Sequence, residues 1–456
     1  MYKNTWSNIL DNITLFDIAT QKKLTYRVIS YGCQMNTHES EALAGILEQA
    51  GFLKAEDDKT PDAVFFNTCC VREHAESRVF GNVGALKHLK EENPDMIIGV
   101  CGCMMQQDGM ADKFAKRFPF VDIVFGTKNM YRLPEMLYSA VVLKQRCIMI
   151  EAEDTLADDM PIKRNSYPLS YVSIMQGCNN FCSYCIVPYV RGRERSRAPR
   201  SVIEEVAALA REGYKEVMLL GQNVNSYGLG TDCDFPRLLS MIAEETGIPR
   251  IRFMTSHPKD ASEELIKTVK KYPNICNSLH LPMQSGSNGI LKMMNRKYTR
   301  EHYLSLIEKA RREIPGVFLS TDIIVGFPGE TEEDFALTMD MMERVRFDAA
   351  YTFIYSRRTG TRAAEFENQI DRAVKQRRIA ELIDLQSEIT YESNKSYVGS
   401  THRILVEGAS TRNENEFCGR TDTGKMVNFE GSFKPGDFVD VRITRAKKTT
   451  LFGETL

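Results

Sequence analysis

The chain has 456 residues, of which 43% are hydrophobic and 26% are charged. This mixture can bury several cores and exceeds what one domain usually holds, so we expect two or three domains. The formal net charge is only -2, which excludes nucleic-acid binding through a global positive field and leaves local basic patches as the alternative.

The N-terminal sequence MYKNTWSNILDN lacks the basic flank and apolar run of a signal peptide, and no apolar stretch is long enough to span a bilayer. We therefore expect a cytoplasmic protein with no membrane partner. Twelve cysteines in a reducing compartment indicate metal ligation, catalysis or burial as small hydrophobic side chains, and argue against disulfides.

Apolar runs alternate with helical periods in residues 24–145, after a polar lead of about twenty residues. The predicted strands lie in YRVISYG, VFFNTC, MIIGVCGC and VDIVFG, and the helices begin at Asn36, Glu73 and Gln106. Strands this uniformly apolar suit a parallel sheet covered on both faces, so an α/β domain is predicted here. The acidic stretch EAEDTLADDM, from Glu151, is predicted to be a connecting loop.

Residues 164–394 show a second alternation of strands and helices. The strands lie in YVSIMQGC, EVMLLGQNV, IRFMTSH, SLHLPMQSG, FLSTDIIVGF and AAYTFIYS, and the helices begin at Ser201, Phe235, Ser262, Arg300 and Thr331. Repeated βα units predict a partial, open (β/α)6 barrel. A charged helical tract from Asp371 to Asn394 then leads to HRILVEG, MVNFEG and FVDVRITRA, so residues 395–456 are predicted to form a small β-barrel.

Cys178, Cys182 and Cys185 form a Cys-x-x-x-Cys-x-x-Cys loop directly after the first barrel strand. Ligands bind at this end of the strands in α/β barrels. Three thiolates hold three irons of a [4Fe-4S] cluster and leave the fourth iron open. A zinc knuckle is the alternative, but zinc requires four ligands and neither a histidine nor a fourth cysteine lies near in sequence.

The spacing and position of this loop resemble the radical S-adenosylmethionine (SAM) superfamily. The resemblance implies that the open iron binds SAM and that an electron cleaves SAM to a 5'-deoxyadenosyl radical. Polar residues at the ends of the barrel strands are then expected to line the SAM site. The backbone at Gly326 is expected to approach the adenine, and Tyr355 is expected to flank that base. These residues are Gln222, Asn223, Ser256, His257, Gln284, Ser285, Thr321, Asp322, Gly326 and Tyr355. For any one of them, an ordinary loop cap is an equally good interpretation.

Three cysteines of the first domain, Cys33, Cys69 and Cys103, each follow a predicted strand. Parallel strands end at one edge of their sheet, so these thiols are predicted to converge on a second three-cysteine site. Cys70 and Cys101 leave the ligand choice open because a change of register would present them instead. Burial of all five as small hydrophobic side chains is the other interpretation. The remaining cysteines are interpreted as structural: Cys147, Cys233, Cys276 and Cys418.

Long blocks from about Leu24 to the C-terminus resemble the MiaB-type tRNA methylthiotransferases. They are SYGCQMN, NTCCVRE, GCMMQ, QGCNNFCSYCIVPYVRGRERSR, LLGQNVNSY, RFMTSHP, HLPMQSGS, DIIVGFPGET and GRTDTGKMVNFEG. The resemblance implies that Cys33, Cys69 and Cys103 ligate an auxiliary [4Fe-4S] cluster and that residues 395–456 form an RNA-binding TRAM domain. It further implies that N6-isopentenyladenosine beside the tRNA anticodon becomes its 2-methylthio derivative, with two SAM molecules and two [4Fe-4S] clusters. The implied partners are the tRNA anticodon stem-loop, a flavodoxin or ferredoxin reductant and an iron-sulfur or sulfur carrier protein.

Two basic groups are candidates for RNA contacts because arginine suits phosphate and base recognition. The first comprises Arg191, Arg193, Arg195, Arg197 and Arg200, and the second comprises Arg420, Lys425, Arg442, Arg445, Lys447 and Lys448 with Phe417 and Phe429. A solvated or internally paired charge run is the alternative for the first group. Two rival functions remain: the same chemistry on another tRNA adenosine or a ribosomal-protein aspartate, and a non-catalytic iron-sulfur protein that binds RNA or transfers electrons.

Overall fold

The structure, a computed structural model, describes residues 9–70, 73–150, 160–410 and 413–456. Most of the acidic stretch predicted to connect the first two domains, residues 151–159, and residues 1–8 of the N-terminal sequence lie outside this part of the chain. The chain divides into two compact units. Unit 1 comprises residues 1–165 and 186–193, and unit 2 comprises residues 166–185 and 194–456.

Unit 1 is a parallel six-stranded sheet with the strand order β2-β1-β3-β4-β5-β6. Its strands are β1 (Thr25–Ser30), β2 (Leu53–Lys54), β3 (Ala63–Thr68), β4 (Ile97–Gly102), β5 (Ile123–Phe125) and β6 (Cys147–Met149). Its helices are α1 (Ile9–Lys22), α2 (Gln34–Gln49), α3 (Glu73–Ala85), α4 (Lys87–Glu92), α5 (Met110–Arg117), α6 (Leu133–Val141) and α7 (Val187–Arg191). Every residue of β3 and β4 is buried, as expected for strands covered on both faces.

Two cores cover the two faces of this sheet. One contains Phe65 with residues of α1, α2 and α6, and the other contains Phe66 with residues of α3 and α5. Two predictions differ from the structure. The polar lead contains helix α1, which buries Leu15 and Ala19, and the helix predicted from Gln106 begins at Met110 because Gly109 lies in the left-handed region immediately before it.

Unit 2 begins with a partial barrel of six parallel strands. They are β7 (Leu169–Ser173), β10 (Glu216–Leu220), β11 (Arg250–Phe253), β12 (Ser278–His280), β13 (Phe318–Val325) and β14 (Ala349–Ile354), and a short antiparallel pair is formed by β8 (Met175–Gln176) and β9 (Arg195–Ser196). The barrel strands form two three-stranded sheets, ordered β7-β10-β11 and β12-β13-β14, and a bridge between Ile251 and Ile275 links them. The predicted (β/α)6 topology is thus confirmed.

Helices surround the barrel strands and bury one large apolar core against them. They are α8 (Pro199–Arg211), α9 (Phe235–Glu245), α10 (Glu263–Lys271), α11 (Asn288–Met293), α12 (Arg300–Glu313), α13 (Glu332–Val345) and α14 (Arg372–Lys395). Side-chain caps begin several of them, including Ser262 at α10 and a capping box of Thr331 and Asp334 at α13. Among the residues that the structure describes, no helix has the length and apolar character needed to cross a membrane.

A closed barrel in the order β15-β16-β17-β19-β18 completes unit 2. Its strands are β15 (Thr401–Ser410), β16 (Asn413–Arg420), β17 (Met426–Glu430), β18 (Phe438–Ala446) and β19 (Leu451–Thr455). Closure leaves no free strand edge, and the interior is filled by side chains such as Ile404, Val427 and Phe429. The prediction of a small β-barrel is confirmed.

Candidate iron-sulfur and SAM site

Four thiols gather at the carboxyl-terminal edge of the sheet in unit 1, and we call Cys33, Cys69, Cys70 and Cys103 the sheet-edge thiols. Cys33 is exposed at the start of α2, whereas the other three are buried. Gly32 permits the close approach, because a Cβ there would lie 2.9 Å from the Sγ of Cys69. Its φ of +122° is also a conformation that favours glycine.

The structure gives different surroundings to Cys70 and Cys101, the two cysteines that left the choice of ligands open. Cys101 lies within β4 and packs into the apolar core beneath α1, α2 and α6. Cys70 instead packs with Cys103, Ile186 and Val190 and hydrogen-bonds to the Cys103 thiol. That hydrogen bond is the main cause that lowers the pKa of Cys103, while it raises the pKa of Cys70.

Arg191, one of the residues predicted to contact RNA, is paired inside unit 1. Its guanidinium is buried and forms a bidentate ion pair with Glu39, with distances of 2.6 Å (Nη1 to Oε1) and 3.1 Å (Nη2 to Oε2). It also hydrogen-bonds to the Cys103 thiol. Arg191 is thus internally paired, which was the alternative interpretation of the first basic group.

Three loop thiols, Cys178, Cys182 and Cys185, occupy a turn in unit 2, where the Cys185 N–H donates to the Cys182 carbonyl at 2.9 Å. Burial raises the pKa of Cys178 to about 11. The Arg296 guanidinium donates to the Cys182 Sγ at 3.4 Å, which places a positive charge beside a thiol that must ionise to bind metal.

The segment after α11 fastens this loop. Asn295 Nδ2 donates to the carbonyls of Asn180 and Phe181, at 3.1 and 2.9 Å. Ser183 bonds to Met293 through its hydroxyl and to Met294 through its N–H. Sequence reasoning missed Asn295 and Arg296, because a polar pair more than a hundred residues from the loop carries no spacing signal.

The sheet-edge thiols and the loop thiols form two groups, and the thiols of neither group are arranged as a complete set of metal ligands. Within the described part of the chain, no group of three or more histidine, cysteine or acidic side chains is arranged to hold a metal ion. The donor chemistry nevertheless fits an iron-sulfur cluster, since the side chains that could ligate it are thiols, and an arginine lies near each group of thiols.

Three of the polar strand ends predicted to line the SAM site fit a bound polar cofactor. Buried side-chain oxygens of Gln222, Asn223 and Gln284 have no hydrogen-bond partner among the described residues. Unsatisfied buried acceptors are rare in native proteins and indicate a ligand or water that would complete them. Asn223 is held from its other side, since its Nδ2 donates to Asp260 Oδ2 at 2.8 Å.

Other predicted SAM contacts already have partners inside the protein. Thr321 shares a face of β13 with the core residues Leu319 and Ile323, and its hydroxyl donates to the Leu281 carbonyl and accepts from the Met283 N–H. The Ser285 hydroxyl accepts from the Ser287 N–H and contacts the Thr338 hydroxyl. The hydroxyl groups of Thr321 and Ser285 therefore already have hydrogen-bond partners within the protein.

The remaining predicted contacts, Ser256, His257, Asp322, Gly326 and Tyr355, have four different surroundings. His257 and Ser256 are buried after β11, and Asp322 lies on the opposite face of β13 from Thr321, 3.6 Å from the His280 ring. Gly326 has a φ of +72° but meets the Lys375 side chain, since a Cβ there would lie 2.3 Å from Lys375 Cγ. Tyr355 packs against Phe327, in an apolar cluster that Tyr184 of the cysteine loop also joins.

Two more of the predicted RNA contacts are buried inside unit 2. The Arg197 guanidinium donates to the Ser173 carbonyl and to Glu205, both at 2.7 Å. Lys425 donates to Asn394 Oδ1 at 2.8 Å and to Ser393. Both side chains, like that of Arg191, are buried and paired with other residues of the protein.

The other cations differ in exposure. Arg193 is exposed, Arg195 is half-buried, Arg200 pairs with Glu245, and Arg420 pairs with Glu407. The other predicted cations of the small barrel, Arg442, Arg445, Lys447 and Lys448, are all exposed. Arg445 lies 4.2 Å from the centre of the Phe452 ring, an aromatic side chain that the sequence reasoning missed, whereas Phe429 is buried in the barrel core.

Three family models match the chain, and together they follow the architecture. Residues 25–126 match the model described as Uncharacterized protein family UPF0004, residues 172–342 the Radical SAM superfamily, and residues 395–456 the TRAM domain. Proteins named tRNA-2-methylthio-N(6)-dimethylallyladenosine synthase resemble the whole chain. The one from Thermoanaerobacter pseudethanolicus is 52% identical, covering 95% of this chain and 93% of the relative. The one from Clostridium tetani is 50% identical, covering 98% and 100%.

The chain belongs to this family. It is therefore a radical SAM enzyme, and members of that superfamily use SAM and a [4Fe-4S] cluster. The superfamily match favours the iron-sulfur interpretation of the loop thiols over a zinc knuckle.

Solved structures of low sequence identity are similar to this chain in fold, and the similarity supports the fold only. The radical SAM methyltransferase TsrM from Kitasatospora setae, with cobalamin and a [4Fe-4S] cluster bound, has a TM-score of 0.56 at 16% identity and covers 75% of this chain and 77% of its own. The cobalamin-dependent radical SAM enzyme OxsB has a TM-score of 0.53 at 13% identity, over 80% of this chain and 56% of its own.

Proposed function

We propose that the protein converts N6-isopentenyladenosine next to the tRNA anticodon into its 2-methylthio derivative, using two SAM molecules and two [4Fe-4S] clusters. The observation that carries the proposal is the similarity, over nearly the whole chain, to relatives named for this product. We further propose a flavodoxin or ferredoxin as the electron donor, an iron-sulfur or sulfur carrier as a further partner, and the cytoplasm as the site of action.

In this proposal Cys178, Cys182 and Cys185 hold the first cluster as thiolates. When bound, that cluster supplies the electron that cleaves SAM to the 5'-deoxyadenosyl radical. Arg296 stabilises the Cys182 thiolate by a charge-assisted hydrogen bond, and Asn295 fixes the loop backbone. The unsatisfied oxygens of Gln222, Asn223 and Gln284 accept hydrogen bonds from SAM, while Ser256, His257, Asp322, Gly326 and Tyr355 complete the surrounding wall.

Cys33, Cys69 and Cys103 hold the auxiliary cluster in the same proposal. Three thiolates leave one iron unclaimed, which suits the delivery of an additional sulfur. Cys70 then remains as the thiol that packs beside Cys103. The tRNA lies against exposed cations of the small barrel, with Phe452 available for stacking and with Arg193, Arg195 and Arg420 as further contacts.

The decisive experiment compares two cysteine variants after cluster reconstitution. Cys182→Ala should abolish the release of 5'-deoxyadenosine from SAM, because the SAM-binding iron loses its site. Cys69→Ala should retain that release and lose methylthio transfer, measured by nucleoside analysis of isopentenylated tRNA. Failure of the reconstituted parent to cleave SAM would favour a non-catalytic iron-sulfur protein.

A deletion strain separates the remaining substrate alternatives. Its tRNA should lack the 2-methylthio derivative and accumulate N6-isopentenyladenosine. An unchanged 2-methylthio content would overturn the substrate, and would direct attention to another tRNA adenosine or to a ribosomal-protein aspartate.

A further inference from the structure

A buried ion pair stands among the sheet-edge thiols. Arg191 and Glu39 have side chains that are only 6% and 8% exposed, and the guanidinium meets the carboxylate with both Nη atoms. Desolvation of two charges offsets most of their attraction, so a buried pair by itself adds little to stability. The planar fork of Arg191 nevertheless holds its charge in one fixed orientation.

This places the guanidinium next to a sheet-edge thiol. Val190, the residue before Arg191, packs against Cys103, and Arg191 follows the Cys70 hydrogen bond among the groups that lower the pKa of the Cys103 thiol. Cys33 immediately precedes α2, the helix that carries Glu39, so one helix positions both a thiol and the carboxylate that orients the arginine.

Helix α7 brings Arg191 to this place and is held there by apolar packing. Ile186 and Val190 pack against Cys70 and Cys103, and the Thr127 hydroxyl donates to the Val190 carbonyl at 2.9 Å. The helix therefore covers the thiols with apolar side chains and adds a single cation. Hydrogen bonds to cluster sulfurs and exclusion of solvent are the means by which a protein sets a cluster's reduction potential.

We propose that Arg191, oriented by Glu39, is a positioning residue that holds the sulfur of Cys103 and sets the reduction potential of the auxiliary cluster. The inference rests on the proposed function, because it needs a cluster at Cys33, Cys69 and Cys103. A fixed positive charge beside the ligand sulfur stabilises the more negative, reduced state of the cluster. The carboxylate of Glu39 acts in the opposite direction while it keeps the guanidinium in place.

The test uses the full-length protein carrying Cys178→Ala, Cys182→Ala and Cys185→Ala, so that only the auxiliary cluster reconstitutes. The readouts are iron and sulfide per chain and the midpoint potential from spectroelectrochemical titration, none of which depends on turnover. Arg191→Met should shift the midpoint to more negative values, and Arg191→Lys should shift it less because the charge remains without the fork. Glu39→Gln should shift it to more positive values.

A matched control separates this role from simple stability. Arg197→Met removes another buried arginine that pairs with a glutamate, in unit 2 rather than in unit 1, and should leave the midpoint unchanged. If Arg191→Met does not fold, Arg191→Lys and Glu39→Gln still give shifts of opposite sign. Equal midpoints in parent and variants, each with a full cluster, would overturn the inference alone. A parent without any cluster would overturn the auxiliary site as well.

Discussion

His257 shows how one buried side chain makes the stability of this protein depend on pH. Burial, helped by the positive charges of Arg296 and Lys259, lowers the pKa of His257 to about 2. Its Nδ1 accepts a hydrogen bond from the Lys259 N–H, which requires an unprotonated nitrogen. The folded protein therefore keeps this ring neutral at pH values where an unfolded chain would protonate it.

The sign of the effect follows from proton linkage. The folded pKa lies below the unfolded value of about 6.5, so the unfolded state binds more protons and stability falls as the pH drops below that value. Between pH 7 and pH 5 the loss in the free energy of unfolding should be about 2 kcal/mol from this residue. Denaturant unfolding of His257→Gln should show a flatter pH dependence over this range. An equally steep profile in the variant would assign the effect to other groups.

Among the helices, two glycines differ in the space around them, so we expect a change to alanine to have opposite effects on stability at the two positions. Gly45 lies near the C-terminal end of α2, where a Cβ would lie 2.3 Å from the carbonyl oxygen of Pro161. The segment after Pro161 is bonded to the same helix, because the Lys163 N–H donates to the Glu41 carbonyl at 2.9 Å. Gly81 in α3 has open space, with nothing within 4 Å of such a Cβ.

Gly45→Ala should therefore destabilise unit 1 by about 1–3 kcal/mol through overpacking, although alanine is the better helix former. Gly81→Ala should stabilise it by about 0.5–1 kcal/mol, because only helix propensity and chain entropy change. Thermal and denaturant unfolding of the two variants measure both effects. A stabilised Gly45→Ala would show that the Pro161 segment moves aside at little cost.

At the scale of the whole molecule, buried cations join the small barrel to the (β/α)6 barrel within unit 2. The Arg250 guanidinium donates to the carbonyls of Arg420 and Arg403, at 2.9 and 2.7 Å. Lys425 reaches the other way, from the small barrel to Asn394 at the end of α14. A domain tied by such contacts is docked to the catalytic barrel rather than tethered to it by a flexible linker.

Arg250→Met should weaken this docking, since two carbonyls lose a charged donor at a cost of about 2–3 kcal/mol. The expected result is faster proteolytic release of residues 395–456 and a lower midpoint of thermal unfolding. Arg442→Met is the control, because Arg442 is exposed on the same small barrel and should change the free energy of unfolding by less than about 0.5 kcal/mol. Equal sensitivity of the two variants to protease would contradict the docking role of Arg250.

Local sequence patterns were enough to predict the architecture and the type of cofactor site. Apolar strand periods predicted the parallel sheet, the partial barrel and the small β-barrel, because hydrophobic patterning is local and survives without knowledge of contacts. The spacing of Cys178, Cys182 and Cys185 indicated a cluster with an open iron, since one short loop can present all three thiols.

The neighbours of each side chain could not be predicted in the same way, because they depend on contacts between distant parts of the chain. The direction of Thr321 into the helix layer depends on strand register, and the burial of Arg191, Arg197 and Lys425 depends on partners distant in sequence. A run of arginines looks the same on a surface and inside an ion pair, because charge is a property of the residue and burial is a property of the fold. Arg191 therefore changed from a predicted RNA contact to a candidate for tuning the auxiliary cluster, and no local pattern could have shown that.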